Sequence, residues 1–375
     1  MEIRDLLEAM VEKEASDVYI TTGLAPMYRI LGTTEALEGR FDQFEESTVR
    51  ELCRSVMSDK QNEEFMETHE MNLALSYPGL GRFRVNIFQQ RGTPGMVIRQ
   101  IKLDIMTIDE LGLPSILKDL VMTNRGLILV VGATGSGKST TLAAMINERN
   151  VKASGHIITI EDPVEYVHTH KKCVVTQREV GMDTHSFQAA LKNTLRQAPD
   201  VILIGEIRDT ETMEAAITFA ETGHLAFGTL HSNNANQAIE RILNFFPEER
   251  HPQIYLQLSL NLKAIVSQRL IKTLEGGRTA ALELLLDTPR IKDLIKKGEV
   301  DVIKEAMTQG EQEGCQTFDK ALFDLYMEER IEFDQALANA DSANNLRLRI
   351  QNEERKSGEV EQEKPDFHIK RDILH

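Results

Sequence analysis

The first hundred residues alternate between two apolar periods. Over Glu2–Lys13, Ile3, Leu6, Leu7 and Met10 recur at helical spacing. Residues 16–21 (Ser-Asp-Val-Tyr-Ile-Thr), 82–88 (Arg-Phe-Arg-Val-Asn-Ile-Phe) and 97–101 (Val-Ile-Arg-Gln-Ile) read as strands, the first two by alternation. These elements predict a small α+β domain over residues 1–104. Residues 105–124 hold Leu111-Gly-Leu-Pro114 and a short helical run from Ile116 to Met122, and read as a linker. From Arg125 the pattern changes. Apolar runs at 127–131, 157–160, 201–204 and 225–230 alternate with helical stretches, which predicts a parallel sheet with crossover helices. After Asn236 the spacing turns helical at 237–245, 255–270, 291–297, 302–309 and 318–328. The expected fold class is therefore α/β, with a core at 125–345 that ends in helices. The final stretch, 346–375, reads as a charged mobile tail: residues 351–375 alone carry twelve charged side chains.

Composition narrows the class. The 375 residues are 41% hydrophobic and 27% charged, as in an ordinary globular protein with room for two cores. No apolar stretch approaches the roughly 20 residues of a membrane helix, and the N-terminus lacks the layout of a signal peptide, so a cytoplasmic chain is expected. Cys53, Cys173 and Cys315 lie far apart with no C-x-x-C pair, which suggests neither a disulfide framework nor a zinc site. The net charge of −16 disfavours a nucleic-acid partner, because nonspecific DNA binding is mainly electrostatic.

Gly132-Ala-Thr-Gly-Ser-Gly-Lys138-Ser139 spells G-x-x-x-x-G-K-S between the apolar run ending at Val131 and a helical run from Thr140. Strand, glycine-rich loop and helix form the context in which this pattern cradles phosphates. Its glycines turn backbone N–H groups inward, and the helix N-terminus adds the positive end of its dipole. Gly132, Thr134, Gly135, Ser136, Gly137, Lys138, Ser139 and Thr140 are the expected ATP-binding residues. Lys138 reaches the β- and γ-phosphates, and the Ser139 hydroxyl is the expected Mg²⁺ ligand.

Asp200-Val-Ile-Leu-Ile-Gly-Glu206 is a strand that ends in an acid. At such a strand end an acid orients an attacking water or the metal. Gly205 occupies the usual metal-side aspartate position, so Glu206 reads as the catalytic acid, against the blander pairing with nearby Arg208. Glu161 and Asp162 end a second strand in the same way, or belong to a charged loop. Six of the ten histidines lie between His156 and His231, without metal-binding helical spacing. His224 and His231 flank the run 225–230, and on spacing alone a structural role is the simpler reading. Arg84 and Arg99 lie on separate strands; arginines outside a nucleotide core can stabilise a γ-phosphate, often from a neighbouring subunit, although solvent-facing arginines are common.

Together these motifs resemble the PilT/PilU family of type IV pilus retraction ATPases over nearly all of residues 1–329. The resemblance is carried by Ala15-Ser-Asp17, Gly81-Arg-Phe-Arg-Val-Asn86, the phosphate loop, Ile158-Thr-Ile-Glu-Asp-Pro-Val-Glu165, the stretch Leu195–Asp209, Thr222–His231 and Gln316-Thr-Phe-Asp319. It implies a PAS-like N-terminal domain, a RecA-like core and a homo-hexameric ring. It assigns Glu161, Glu206 and His231 to the catalytic centre and Arg84 and Arg99 to a neighbour's site; Gly205 is usual in the family. It also implies a place at the inner membrane, where an inner-membrane pilus platform protein is the partner. Three departures favour the PilU-type accessory branch, which works with a PilT-like retraction ATPase: Arg290 and Lys292 in place of the Ala-Ile-Arg motif, Glu313-Gly-Cys315 before Gln316, and the charged tail. The four-cysteine zinc site of the assembly ATPases is missing. Two other classes stay open from sequence: a nucleic-acid translocase on the same core, and a non-motor adaptor that binds ATP to brace a partner ring.

Overall fold

The computed structural model describes residues 1–30, 32–101 and 104–357. In chain order the elements are α1 (Ile3–Glu12), β1 (Asp17–Ile20), β2 (Met27–Ile30), β3 (Thr33–Ala36), α2 (Glu46–Ser55), α3 (Asp59–Thr68), β4 (Glu70–Tyr77), β5 (Gly81–Gln90) and β6 (Thr93–Ile101). There follow α4 (Ile116–Val121), β7 (Gly126–Val131), α5 (Lys138–Lys152), β8 (Gly155–Glu161), β9 (Cys173–Glu179), α6 (Phe187–Thr194), β10 (Val201–Ile204), α7 (Thr210–Glu221) and β11 (Leu225–Leu230). The chain continues through α8 (Ala235–Asn244), α9 (His251–Asn261), β12 (Leu262–Lys272), β13 (Arg278–Leu286), α10 (Pro289–Lys297), α11 (Ile303–Gln309), α12 (Phe318–Met327), α13 (Phe333–Asn339) and α14 (Ala343–Ser357). These elements form two compact units, Met1–Thr107 with Ser139–Glu206, and Ile108–Lys138 with Ile207 onward.

In the first unit, β3-β2-β1-β6-β5-β4 form an antiparallel sheet. The inward residues of α1 (Leu6, Leu7, Met10) join Val18, Phe83, Val85, Ile87 and Ile98 in one core. The alternation read along residues 82–88 is real: Phe83, Val85 and Ile87 are buried, whereas Arg82, Arg84 and Asn86 are not. The same unit carries the parallel strands β10-β8-β9. Val201–Ile204 is buried at every position, which is why it reads as an unbroken apolar run.

In the second unit, β7 pairs in parallel with β11 on one side and β12 on the other, and β12 pairs antiparallel with β13. Both β7 and β11 are buried throughout. Here the structure corrects the reading of residues 255–270 as one helix. α9 stops at Asn261, and Leu262, with φ −67° and ψ 123°, turns straight into β12. No Gly or Pro marks the change, and the apolar spacing of Ile254, Leu258, Leu262 and Ile265 carries helical periodicity across the junction. β13 was not anticipated either. α14 runs through the start of the stretch expected to be mobile, because Leu346 and Ile350 bury against Phe318 and Leu322; residues 358–375 of that stretch lie outside the described ones. Cys53, Cys173 and Cys315 are free and buried. Among the described residues no helix is long and apolar enough to cross a membrane.

Candidate active site

The phosphate loop belongs to the second unit. It leaves β7 at Gly132, where φ is +155°, and enters α5 after Gly137, where φ is +89°. A Cβ at Gly132 would sit 2.7 Å from the Gln268 carbonyl oxygen, and one at Gly137 would sit 2.7 Å from the Gln268 side-chain nitrogen. Both glycines are thus required by close approach as well as by conformation. The Lys138 ammonium donates to the carbonyls of Gly132 (2.8 Å) and Ala133 (3.0 Å), so it is held over the loop. The Ser136 hydroxyl is buried without a hydrogen-bond partner among the described residues. Gly132–Ser136 line a cavity of about 250 Å³, closed by Asn233, Gln268, Arg269, Leu270 and Arg278. His231 follows β11; since Leu230 pairs with Val131 in a parallel ladder, the next step brings His231 level with Gly132. His224, at the other end of β11, is tied by Nδ1 to the Thr222 hydroxyl and the Phe219 carbonyl oxygen, a structural placement.

The acidic strand ends belong to the first unit. β8 and β10 are in parallel register through Ile160↔Ile204. Gly205 therefore packs on Glu161: its N–H donates to the Ile160 carbonyl oxygen at 2.8 Å, and an added Cβ would lie 3.0 Å from the Glu161 Cα. No aspartate fits there without moving a strand end, which gives a physical reason for glycine at the position. Glu206 is the next residue. Glu161 Oε1 accepts from the Thr159 hydroxyl (2.6 Å) and from the Gln177 amide (3.2 Å). Burial outweighs these bonds and pushes its carboxyl up to about 7. The Thr140 hydroxyl bonds the Tyr166 hydroxyl at 2.8 Å.

Arg84 and Arg99, distant in sequence logic, stand directly opposite each other on β5 and β6. Their surroundings differ. Arg99 Nε donates to the buried Asp17 at 2.7 Å, and Asp17 also accepts from Ser16. The Arg84 side chain makes no hydrogen bond or ion pair among the described residues.

A strand-borne glycine loop carrying a lysine in one unit, and half-buried carboxylates at parallel strand ends in the other, are the furniture of nucleotide hydrolysis. The sequence model described as type II/IV secretion system protein matches residues 2–360. The chain belongs to that family. This secretion ATPase is 55% identical over 351 residues to the type IV pilus ATPase PilU of Pseudomonas aeruginosa, covering 93% of this chain and 91% of that one. It is 44% identical over 322 residues to the type IV pilus retraction ATPase PilT of the same organism, covering 86% and 93%. A crystal structure of the pilus retraction motor PilT with bound ADP superposes with a TM-score of 0.87 at 41% identity, covering 93% of this chain and 99% of that one. The chain is thus a nucleotide-binding type IV pilus ATPase with an α/β core and a helical C-terminal part.

The family's usual divalent cation is tested by the donors present. The Ser139 hydroxyl, at the start of α5, makes no hydrogen bond among the described residues and is an oxygen donor available to a cation. A hydroxyl oxygen suits Mg²⁺, and Gly205 brings no ligand. Sequence reasoning missed the far wall of the secretion ATPase's cavity: Asn233, Gln268, Arg269, Leu270 and Arg278. The β-branched run Ile265-Val266 and the stretch Ala280–Leu286, apolar except for Glu283, were the available signals for β12 and β13.

Proposed function

We propose that this ATPase works as a homo-hexameric ring in the cytoplasm, peripheral at the inner membrane, and converts hydrolysis into type IV pilus retraction as an accessory motor beside a PilT-like partner. Lys138 holds the β- and γ-phosphates on the backbone of Gly132–Gly137. Glu206 orients the attacking water. Glu161, poised near neutral pH, takes up the proton that water releases, because a base works best with a pKa close to the operating pH. His231 stands near the γ-phosphate and reports its presence. Ser139 would hold a Mg²⁺ ion, which would supply charge neutralisation to the phosphates. Arg84 and Arg99 serve the site of the neighbouring subunit. Hydrolysis then rotates one subunit's N-terminal domain against the next core, a rigid-body switch that acts on the inner-membrane pilus platform protein.

The observation that carries this reading is Arg84, whose guanidinium stands on a sheet and makes no hydrogen bond or ion pair among the described residues. Likeness to PilU and PilT supports the retraction role. The test mixes two dead chains. An Arg84→Ala chain and a Glu206→Gln chain, each inactive alone, should regain part of the activity at composite sites. A diluted monomer that hydrolyses ATP as fast as the assembled protein would overturn the arrangement. In cells, removing the gene should leave pili assembled but impair retraction under load. A Lys138→Ala chain should not restore it when the partner ATPase is also catalytically dead; normal retraction in that strain would end the motor reading.

A further inference from the structure

The motif Gln316-Thr-Phe-Asp319 lies in sequence far from the phosphate loop, yet two of its residues, Phe318 and Asp319, bear on Arg269, whose strand neighbours touch that loop. Gln316 donates its side-chain N–H to the Leu282 carbonyl oxygen of β13 at 2.9 Å. Thr317 caps α12 by accepting from the Lys320 N–H at 3.2 Å. Phe318 is fully buried, and the Arg269 guanidinium lies 3.7 Å over its ring centroid. Asp319 accepts from the N–H groups of Asp341 (2.7 Å) and Ser342 (3.2 Å). Asp341, so oriented, accepts from Arg269 at 2.7 Å and from Lys304 at 2.6 Å. Arg269 also donates to the Asn339 carbonyl oxygen at 2.6 Å. One guanidinium is thereby gripped by α12, by the C-terminal end of α13 and by the turn after it, and a planar fork held on several sides has little freedom left.

The residue before Arg269 is Gln268, whose carbonyl oxygen and side-chain amide press on Gly132 and Gly137, the first and last glycines of the loop. Leu270, next along the strand, lies 3.7 Å from the Gly137 Cβ position. Side chains alternate along a strand, so Gln268 and Leu270 meet the loop while Arg269 reaches the helices. We infer that Arg269 is a positioning residue: it fixes Gln268 under the phosphate loop, so that the C-terminal helices α12 and α13 set how tightly the loop holds a nucleotide. The inference rests on the phosphate-binding reading of Gly132–Lys138 and adds a second, reciprocal effect. If the helices set the affinity for nucleotide, nucleotide must in turn steady the helices.

The test uses purified full-length chain and ADP as the probe, with affinity measured by calorimetry and backbone hydrogen exchange followed over residues 318–342. ADP should slow exchange in that stretch of the unaltered chain. Arg269→Gln should weaken ADP binding by about tenfold, the scale of a hydrogen bond to a charged group, and should abolish the protection at 318–342. Asp341→Asn should act in the same direction, and Asp341→Glu, which keeps the charge, should restore most of both readouts. Unchanged ADP affinity in a folded Arg269→Gln chain with only a lower melting temperature would show a purely structural tie and overturn the inference. If Arg269→Gln does not fold, the unaltered chain decides: exchange at 318–342 that ignores ADP overturns it as well. Failure of the unaltered chain to bind ADP, or undiminished binding by Lys138→Ala, would instead strike the reading of the phosphate loop.

Discussion

The phosphate loop and the acidic strand ends are built by different physics. The loop is made of backbone: three glycines at positive φ, carbonyls that hold Lys138, and N–H groups at the start of α5. Its geometry is insensitive to pH. The strand ends are made of side chains: Glu161 sits between Thr159 and Gln177, with its carboxyl pushed up to about 7 by burial. The loop is therefore suited to holding a ligand of fixed shape, and the strand ends to moving a proton. Binding and chemistry should come apart under mutation.

The largest separation is expected between Lys138→Ala and Glu206→Gln. Removing the ammonium should weaken ATP binding by roughly a hundredfold, the worth of a strong charged hydrogen bond. Glu206→Gln should leave the dissociation constant for ATP nearly unchanged while slowing hydrolysis by roughly 10²- to 10⁴-fold. Equal loss of affinity in both variants would erase the distinction.

Glycine substitutions sharpen it next. Gly137→Ala places a methyl 2.7 Å from the Gln268 amide at φ +89°, and should cut nucleotide affinity by about tenfold or more. Gly135→Ala, with nothing within 4 Å, keeps only the strain of its φ of +76° and should do less. Gly205→Ala meets the Glu161 backbone at 3.0 Å, and should lower stability by about 1–3 kcal/mol without changing affinity. Thermal melts and nucleotide titrations of the three variants separate these outcomes.

A smaller effect comes from pH. A carboxyl raised from 4.5 to about 7 keeps its proton longer in the folded chain than in the unfolded one. Stability then falls as pH rises through that window, by at most about 3 kcal/mol. Glu161→Gln removes the titration, so its melting temperature should exceed that of the unaltered chain at pH 8 by more than it does at pH 5. A constant difference across that range would place the Glu161 carboxyl at an ordinary pKa.

The smallest contrast is within the arginine pair. Arg99→Ala leaves the buried Asp17 with only the Ser16 hydroxyl and a more distant Arg29, and should cost about 1 kcal/mol of stability, whereas Arg84→Ala should change the melting temperature little and act on hydrolysis alone. Equal melting shifts for the two would mean that Arg84 has a structural partner.

What the sequence revealed follows the same division. Backbone-built features were legible, because glycine spacing and strands buried on both faces leave strong local marks; the strand–loop–helix context of 132–138 and the strands at 127–131, 201–204 and 225–230 all form where the sequence predicts them. Features that depend on register were not. Nothing local says that Arg84 faces Arg99, or that Gly205 lies on Glu161; both follow from which strands pair and in what phase. The far wall of the cavity was lost for a third reason. α9 passes into β12 with no loop, and the polar residues Ser267, Gln268 and Arg269 break the continuous apolar run that revealed the other core strands.

The three buried cysteines have a practical consequence for studying motion. Burial pushes the Cys53 thiol up to about 12, and raises those of Cys173 and Cys315. Thiolate is the reactive form, so all three buried thiols are expected to react slowly with alkylating dyes or cross-linkers under native conditions. A single cysteine introduced at an exposed position such as Met66 on α3 or Leu348 on α14 would then be the fast-reacting site, and the unaltered chain already serves as the slow-reacting background for labelling.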